Sequence, residues 1–265
     1  MPKSCTAYLI LFLISIGAHA QLTKDIFPLN REFKNGGFYL SPLLTYSYGP
    51  ETKNNLNFND TLYQYRLNEL GQLRYGIELG WFQSFENPLL VHYVEGGISY
   101  RRFDGNVEHD GELLLPDLTE LNFTSTNNFS MQTIAASFRA VHVKQLGKMS
   151  FLNLGLGTNV NYLLSSKYER KGMYPVDKST EKFPSELHVQ LHFQAGIGLR
   201  LTEQVLFVPH IEIPFVNAYP TDDLFPPFNF FNGDTFPVLM GFKLMFLRKD
   251  PFNCNAPIYN GPATQ

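Results

Sequence analysis

The sequence predicts an all-β fold: an antiparallel, up-and-down transmembrane β-barrel of about eight strands, with long extracellular loops and short periplasmic turns. Three observations point there. Runs of two-residue alternation recur along the chain, short and long links separate them in turn, and strand charges keep to one face apart from Arg102 at the outer end of its strand. Side chains change face at every step of a strand, so alternation marks a two-faced strand.

In chain order, "FYLSPLLTYSY" sets Phe38, Leu40, Leu44, Tyr46 and Tyr48 against Ser41, Thr45 and Ser47. "QLRYGIELGWF" sets Leu73, Tyr75, Ile77, Leu79 and Trp81 against Arg74, Glu78 and two glycines. In "YVEGGISYR", Val94, Ile98 and Tyr100 oppose Glu95, Ser99 and Arg101, and in "TIAASFRA" Ile134, Ala136 and Phe138 oppose Ser137 and Arg139. "FLNLGLGTNVNYLL" places Leu152, Leu154, Leu156, Val160 and Tyr162 opposite three asparagines and two glycines. The longest run, "ELHVQLHFQAGIGLRL", separates Leu187, Val189, Leu191, Phe193, Ile197, Leu199 and Leu201 from His188, Gln190, His192, Gln194 and Arg200. "VLFVPHIEIPF" opposes Phe207, Ile211, Ile213 and Phe215 to His210 and Glu212. "FPVLMGFKLMF" opposes Phe236, Val238, Met240, Phe242, Leu244 and Phe246 to Gly241 and Lys243.

Short links are expected at residues 84–88, 145–149 and 202–204, and long polar links at 49–69, 104–128, 166–185 and 217–234. Membrane barrels segregate loop lengths in this way, with tight turns on the periplasmic side. A charge facing lipid at mid-bilayer costs about 2–4 kcal/mol for Arg or Lys, which keeps a lipid-facing side clean of ions. Here Arg74, Glu78, Glu95, Arg101, Arg139, Arg200, Glu212 and Lys243 all fall on the side opposite the apolar one. With the short turns periplasmic, Phe38, Trp81, Phe207 and Phe246 form an inner aromatic girdle, and Tyr46, Tyr48, Tyr100, Tyr162, Phe215 and Phe236 an outer one.

A net charge of -3 and the absence of a basic patch give no footprint for nucleic acid. Mean hydropathy of -0.15 does not suit a helical membrane protein. At the N-terminus, Lys3, the apolar residues 7–18 and the Ala18-His19-Ala20 site read as a signal peptide over 1–20, so that the mature chain begins at Gln21. Residues 21–36 are then a periplasmic segment, 37–248 the barrel and 249–265 an irregular periplasmic tail. Cys5 leaves with the signal, so Cys254 is the only mature cysteine and no internal disulfide forms.

With this signal and this strand pattern, residues 37–248 resemble the small outer-membrane β-barrels of Bacteroidota, including OmpA-like and PorT-like barrels. The resemblance implies an outer-membrane location and eight strands. Many such barrels end on an aromatic that the assembly machinery reads, whereas Phe246 is followed by "LRKDPFNCNAPIYNGPATQ". Either the signal is read internally or the tail has another role.

An eight-stranded barrel is filled by its own side chains. Arg74, Glu78, Glu95, Arg139, Arg200, Glu212 and Lys243 are therefore expected to form a lumen charge network, because buried ions survive only when paired. Turn counting sets Arg139 opposite Gly155 and Glu78 opposite Glu95; facing carboxylates could also serve as an acid/base pair. His188 and His192 lie about 13 Å apart along one strand, too far to share a metal. No His-x-Ser pair occurs, so no catalytic residue, cofactor or metal is assigned.

The expected role is a non-enzymatic structural or interaction subunit of an envelope or secretion assembly. A membrane-embedded lipid- or peptide-processing enzyme and a small ligand-binding or transport barrel are the alternatives. Partners are outer-membrane lipid and other envelope proteins, met through the 104–128 and 217–234 loops or the 249–265 tail. In the second loop, Phe225, Phe228, Phe230 and Phe231 form a candidate partner surface, with folding back over the barrel mouth as the alternative.

Overall fold

The computed structural model describes residues 33–249 apart from 50, 59–60, 86–87, 115–119, 148, 173–184, 203, 220–227 and 231–232. Among the described residues every regular element is a strand: β1 (Phe33–Tyr48), β2 (Thr52–Phe58), β3 (Thr61–Gln72), β4 (Arg74–Ser84), β5 (Tyr93–Leu114), β6 (Glu120–Gln145), β7 (Ser150–Gly172), β8 (Leu187–Arg200), β9 (Val205–Tyr219), β10 (Phe228–Phe230) and β11 (Gly233–Lys249). β1, β4, β5, β6, β7, β8, β9 and β11 form a closed antiparallel ring of eight in that order, and β11 pairs back onto β1 from Gly37↔Leu247 to Tyr48↔Phe236. Closure leaves the ring with no free edge, the condition under which a sheet can cross a bilayer.

The alternating side chains divide between the two faces as the sequence implies. Phe38, Tyr75, Leu79, Ile98, Phe138, Leu156 and Ile197 point outward and are exposed, whereas Ser41, Glu78, Glu95, Arg139, His192, Glu212 and Lys243 point inward and are buried. This is an all-β, up-and-down barrel of the transmembrane type: apolar outside, polar at its centre.

The links differ from expectation. Residues 104–128 are not mainly a loop, because β5 and β6 stay paired from Tyr93↔Val141 to Leu114↔Glu120. The 49–69 link holds β2 and β3, which pair with each other, while β3 also pairs with β5. β7 runs on to Gly172 and β10 pairs with the start of β11. The physical reason is shared. Beyond the apolar belt the outward residues are mostly polar, as at Arg102, Asp104, Asn106 and Glu108, so the apolar stripe ends while the backbone ladder continues.

Two registers also shift. Glu78 stands opposite Ser99 and Glu95 opposite Phe82, because the link continues to His92, whose carbonyl accepts from Phe85 N at 2.9 Å. Arg139 stands opposite Gly157 rather than Gly155, across a turn closed by Gly147 N to Ser150 O at 3.1 Å. Both shifts are even in residue number, so every side chain keeps its face.

Inside, the lumen is layered. Toward the short links, Tyr39, Phe82, Tyr93, Val141, Val143, Phe151, Leu206, Val208, Met245 and Leu247 form one apolar cluster. Toward the long links, Leu43, Phe103, Val107, Phe129, Met131 and Leu239 form another, with Leu163 and Tyr168 against it. The buried ions occupy the level between.

Candidate functional site

The central layer is organised by Arg139, which β6 delivers inward. Its Nη1 donates to Glu78 Oε1 at 2.8 Å and Glu95 Oε1 at 3.0 Å, and its Nη2 to Glu78 Oε2 and Glu212 Oε2, both at 3.0 Å. Nε donates to His192 Nε2 at 3.1 Å, so that imidazole nitrogen is an acceptor. A planar guanidinium offers five donors in a fixed fork, and here they engage three carboxylates on three strands.

A second cation covers both oxygens of Glu95. Lys243 Nζ donates to Glu95 at 2.5 and 2.7 Å and lies 4.9 Å above the ring of Tyr39. Tyr39 in turn donates to Glu78 Oε1 at 2.6 Å, as does Ser137 at 3.0 Å. On the long-link side Arg101 reaches Glu212 at 3.5 Å, and Asn159 donates to the same oxygen at 2.6 Å. The charges cancel: Glu78, Glu95 and Glu212 against Arg101, Arg139 and Lys243. Inward glycines make the room. A Cβ at Gly157 would lie 2.7 Å from Arg139 Cγ and 2.8 Å from His192 Cε1, and one at Gly97 would lie 2.4 Å from the Tyr39 hydroxyl.

Of the residues expected in the lumen network, the structure brings Glu78, Glu95, Arg139, Glu212 and Lys243 together and leaves two elsewhere. Arg74 instead donates from Nε to Asp104 Oδ2 at 2.6 Å, on the outward side. The cause is a bulge: between the pairs Gln72↔Asp104 and Gly76↔Arg101, residues 73–75 stand against 102–103, and the extra residue reverses the face. Arg200 is half-buried at the short-link end of β8, below the ions. Sequence reading placed Arg101 on the inner face but left it out of the network, and left Tyr39, Ser137, Asn159 and His192 out too. Inward parity was the signal that could have found them.

The other histidines do not converge. His188 and His210 are buried inward, His210 Nδ1 contacts Val208 O at 3.1 Å, and His192 stands opposite Pro214. Among the described residues no group of three or more His, Cys, Asp or Glu is arranged to hold a metal. Phe225 and Phe231 lie outside the described residues, as do 1–32 and 250–265, with Cys254 among them. Phe228 and Phe230 belong to β10, whose backbone pairs with Thr235 and Gly233.

Chemically, an electroneutral ion layer between two apolar layers closes the tube. The ring of strands and its filled lumen define the class: a small eight-stranded barrel with an outward apolar surface. No protein-family model matches the chain, and no curated protein does. Among solved structures, the attachment invasion locus protein Ail of Yersinia pestis, in complex with the heparin analogue sucrose octasulfate, is 12% identical over 80% of this chain and 99% of its own, with a TM-score of 0.30. Outer membrane protein OprG of Pseudomonas aeruginosa is 11% identical over 82% of this chain and 96% of its own, with a TM-score of 0.31.

Proposed function

We propose that this chain is an outer-membrane β-barrel protein of the small Bacteroidota-like kind, exported by a cleavable signal peptide. It acts there as a non-enzymatic structural or interaction subunit of the cell envelope. The observation that carries this reading is the inversion of the barrel: apolar side chains face outward around a buried, charge-balanced interior. Exposed rows such as Leu79, Ile98 and Val160 would be costly against water, and the buried ions would be out of place in the core of a soluble barrel. Outward aromatics, Phe38 and Trp81 near the short links and Tyr48 and Tyr162 near the long ones, suit the two interfaces. The sealed lumen argues for contacts made at the ends rather than transport through the middle.

Three measurements test this. The folded protein should extract only with detergent and migrate differently on a gel before and after heating; a water-soluble, heat-indifferent chain would overturn the reading. In planar bilayers it should give no steady conductance, and a stable open channel would refute the sealed lumen. Purification in mild detergent should retain other envelope proteins; a lone monomer would remove the subunit role.

A further inference from the structure

Just beyond the outward apolar surface the wall of β4–β7 changes character. Ile77, Tyr100, Ile134 and Tyr162 stand side by side as one outward row. One same-face step further, about 7 Å, lie Arg102, Gln132 and Ser165, and beyond them Gln72, Asp104, Ser130 and Lys167. The bulge at residues 73–75 delivers Arg74 to the same place. The polar residues of these rows other than Ser165, with Arg74, line a cleft of about 480 Å³.

The cations in it are held ready. Asp104, with a side chain only 7% exposed, accepts from Arg74 Nε at 2.6 Å, from Arg102 Nε and Nη2 at 3.0 and 2.9 Å, and from Ser130 Oγ at 2.9 Å. Gln72 Oε1 takes Arg74 Nη2 at 2.5 Å. Among the described residues this leaves Nη1 of both guanidiniums, and the ammonium of Lys167 across the cleft, for another acceptor. Glu169, the other carboxylate of the lining, is paired with Asn128 a further row out, away from the apolar surface. Three cations thus line one cleft with two carboxylates, of which Asp104 alone accepts from the guanidiniums.

We propose that this cleft binds the phosphate of a membrane lipid headgroup. Arg74, Arg102 and Lys167 hold the phosphate oxygens, and the acyl chains run down the Tyr100, Ile134 and Tyr162 row. Guanidinium forks match phosphate oxygens with short, charge-assisted bonds. The side on which the cleft opens decides between a free anion and a lipid: it sits on the outward wall, directly above the apolar row. The inference rests on the reading that this row lies in a bilayer.

The test uses the full mature protein in dodecyl maltoside micelles, with native mass spectrometry to count retained lipid. Dioleoyl phosphatidic acid should be retained about tenfold better than dioleoyl phosphatidylcholine, the ratio expected of one additional charge-assisted hydrogen bond. Millimolar inorganic phosphate should not displace it. Arg102→Gln and Lys167→Gln should each reduce retention about tenfold, while heat-modifiable migration remains. Lys167 is exposed, so its substitution leaves folding intact and keeps the test decisive. Equal retention of the two lipids, displacement by inorganic phosphate, or unchanged retention in folded Lys167→Gln would each overturn the proposal. Failure of the membrane reading would look different: a protein that stays in aqueous solution without detergent.

Discussion

Arg139 and Leu206 are both buried inside one barrel, yet they are held in unlike ways. Arg139 is fixed by directed bonds to Glu78, Glu95, Glu212 and His192. Leu206 belongs to a cluster with neighbours such as Val141, Val143, Val208 and Met245, where shape and volume set the fit. Directed bonds fail when one partner is lost; apolar contacts weaken in proportion to the volume removed. The tube is thus sealed twice by different physics, and substitutions should separate the two.

The largest expected effect is at the centre. Arg139→Met should cost about 3–5 kcal/mol, because it strands buried carboxylates without their counter-ion. Urea titration in lipid vesicles, read by gel mobility, measures it. Arg139→Lys should recover only part of the loss, since a point charge cannot replace the fork, and full recovery would show that charge alone suffices. In the apolar layer, Leu206→Ala should cost about 2–5 kcal/mol, whereas Leu206→Met should cost less than about 1.5 kcal/mol. Equal intolerance to Arg139→Lys and Leu206→Met in the same titration would erase the distinction between the layers.

A smaller effect belongs to the space between strands. Gly157→Ala places a Cβ 2.4 Å from the Phe138 carbonyl as well as against Arg139 and His192. It should cost about 1–3 kcal/mol as overpacking, again read from the urea midpoint.

The smallest effect is one of pH, in the link between β4 and β5. His92 Nδ1 accepts from Val143 N at 3.2 Å, and burial together with the neighbouring His142 ring holds its pKa down from 6.5 to about 4. The folded state therefore favours the neutral imidazole. The stability this adds is complete above pH 6.5 and is lost as pH falls from there through about 4. His92→Gln should narrow the gap between urea midpoints taken at about pH 7 and about pH 4.5; an unchanged gap would place the acid sensitivity elsewhere.

The same layered interior explains what could be read from sequence. The central stretch of each strand alternates cleanly because its inward residues are polar, as in Glu78, Arg139 and His192, so strand count and facing were legible. Where the inward residues are apolar the contrast vanishes. In "VLFV" Leu206 and Val208 point in while Val205 and Phe207 point out, and no pattern separates them. Past the apolar belt the failure is the reverse. Asn106, Glu108 and Asp110 on β5 look like loop residues although each has a partner across the ladder. Arg74 failed for a third reason, since an extra residue in one strand reverses parity without leaving a mark in composition. Its pairing with Asp104 needed the register.

The balance of charge in the central layer has an electrical consequence. A voltage across a membrane does work only on net charge that it can move. Glu78, Glu95 and Glu212 cancel Arg101, Arg139 and Lys243 within one level. That layer can therefore hold six ions and remain deaf to the potential outside it.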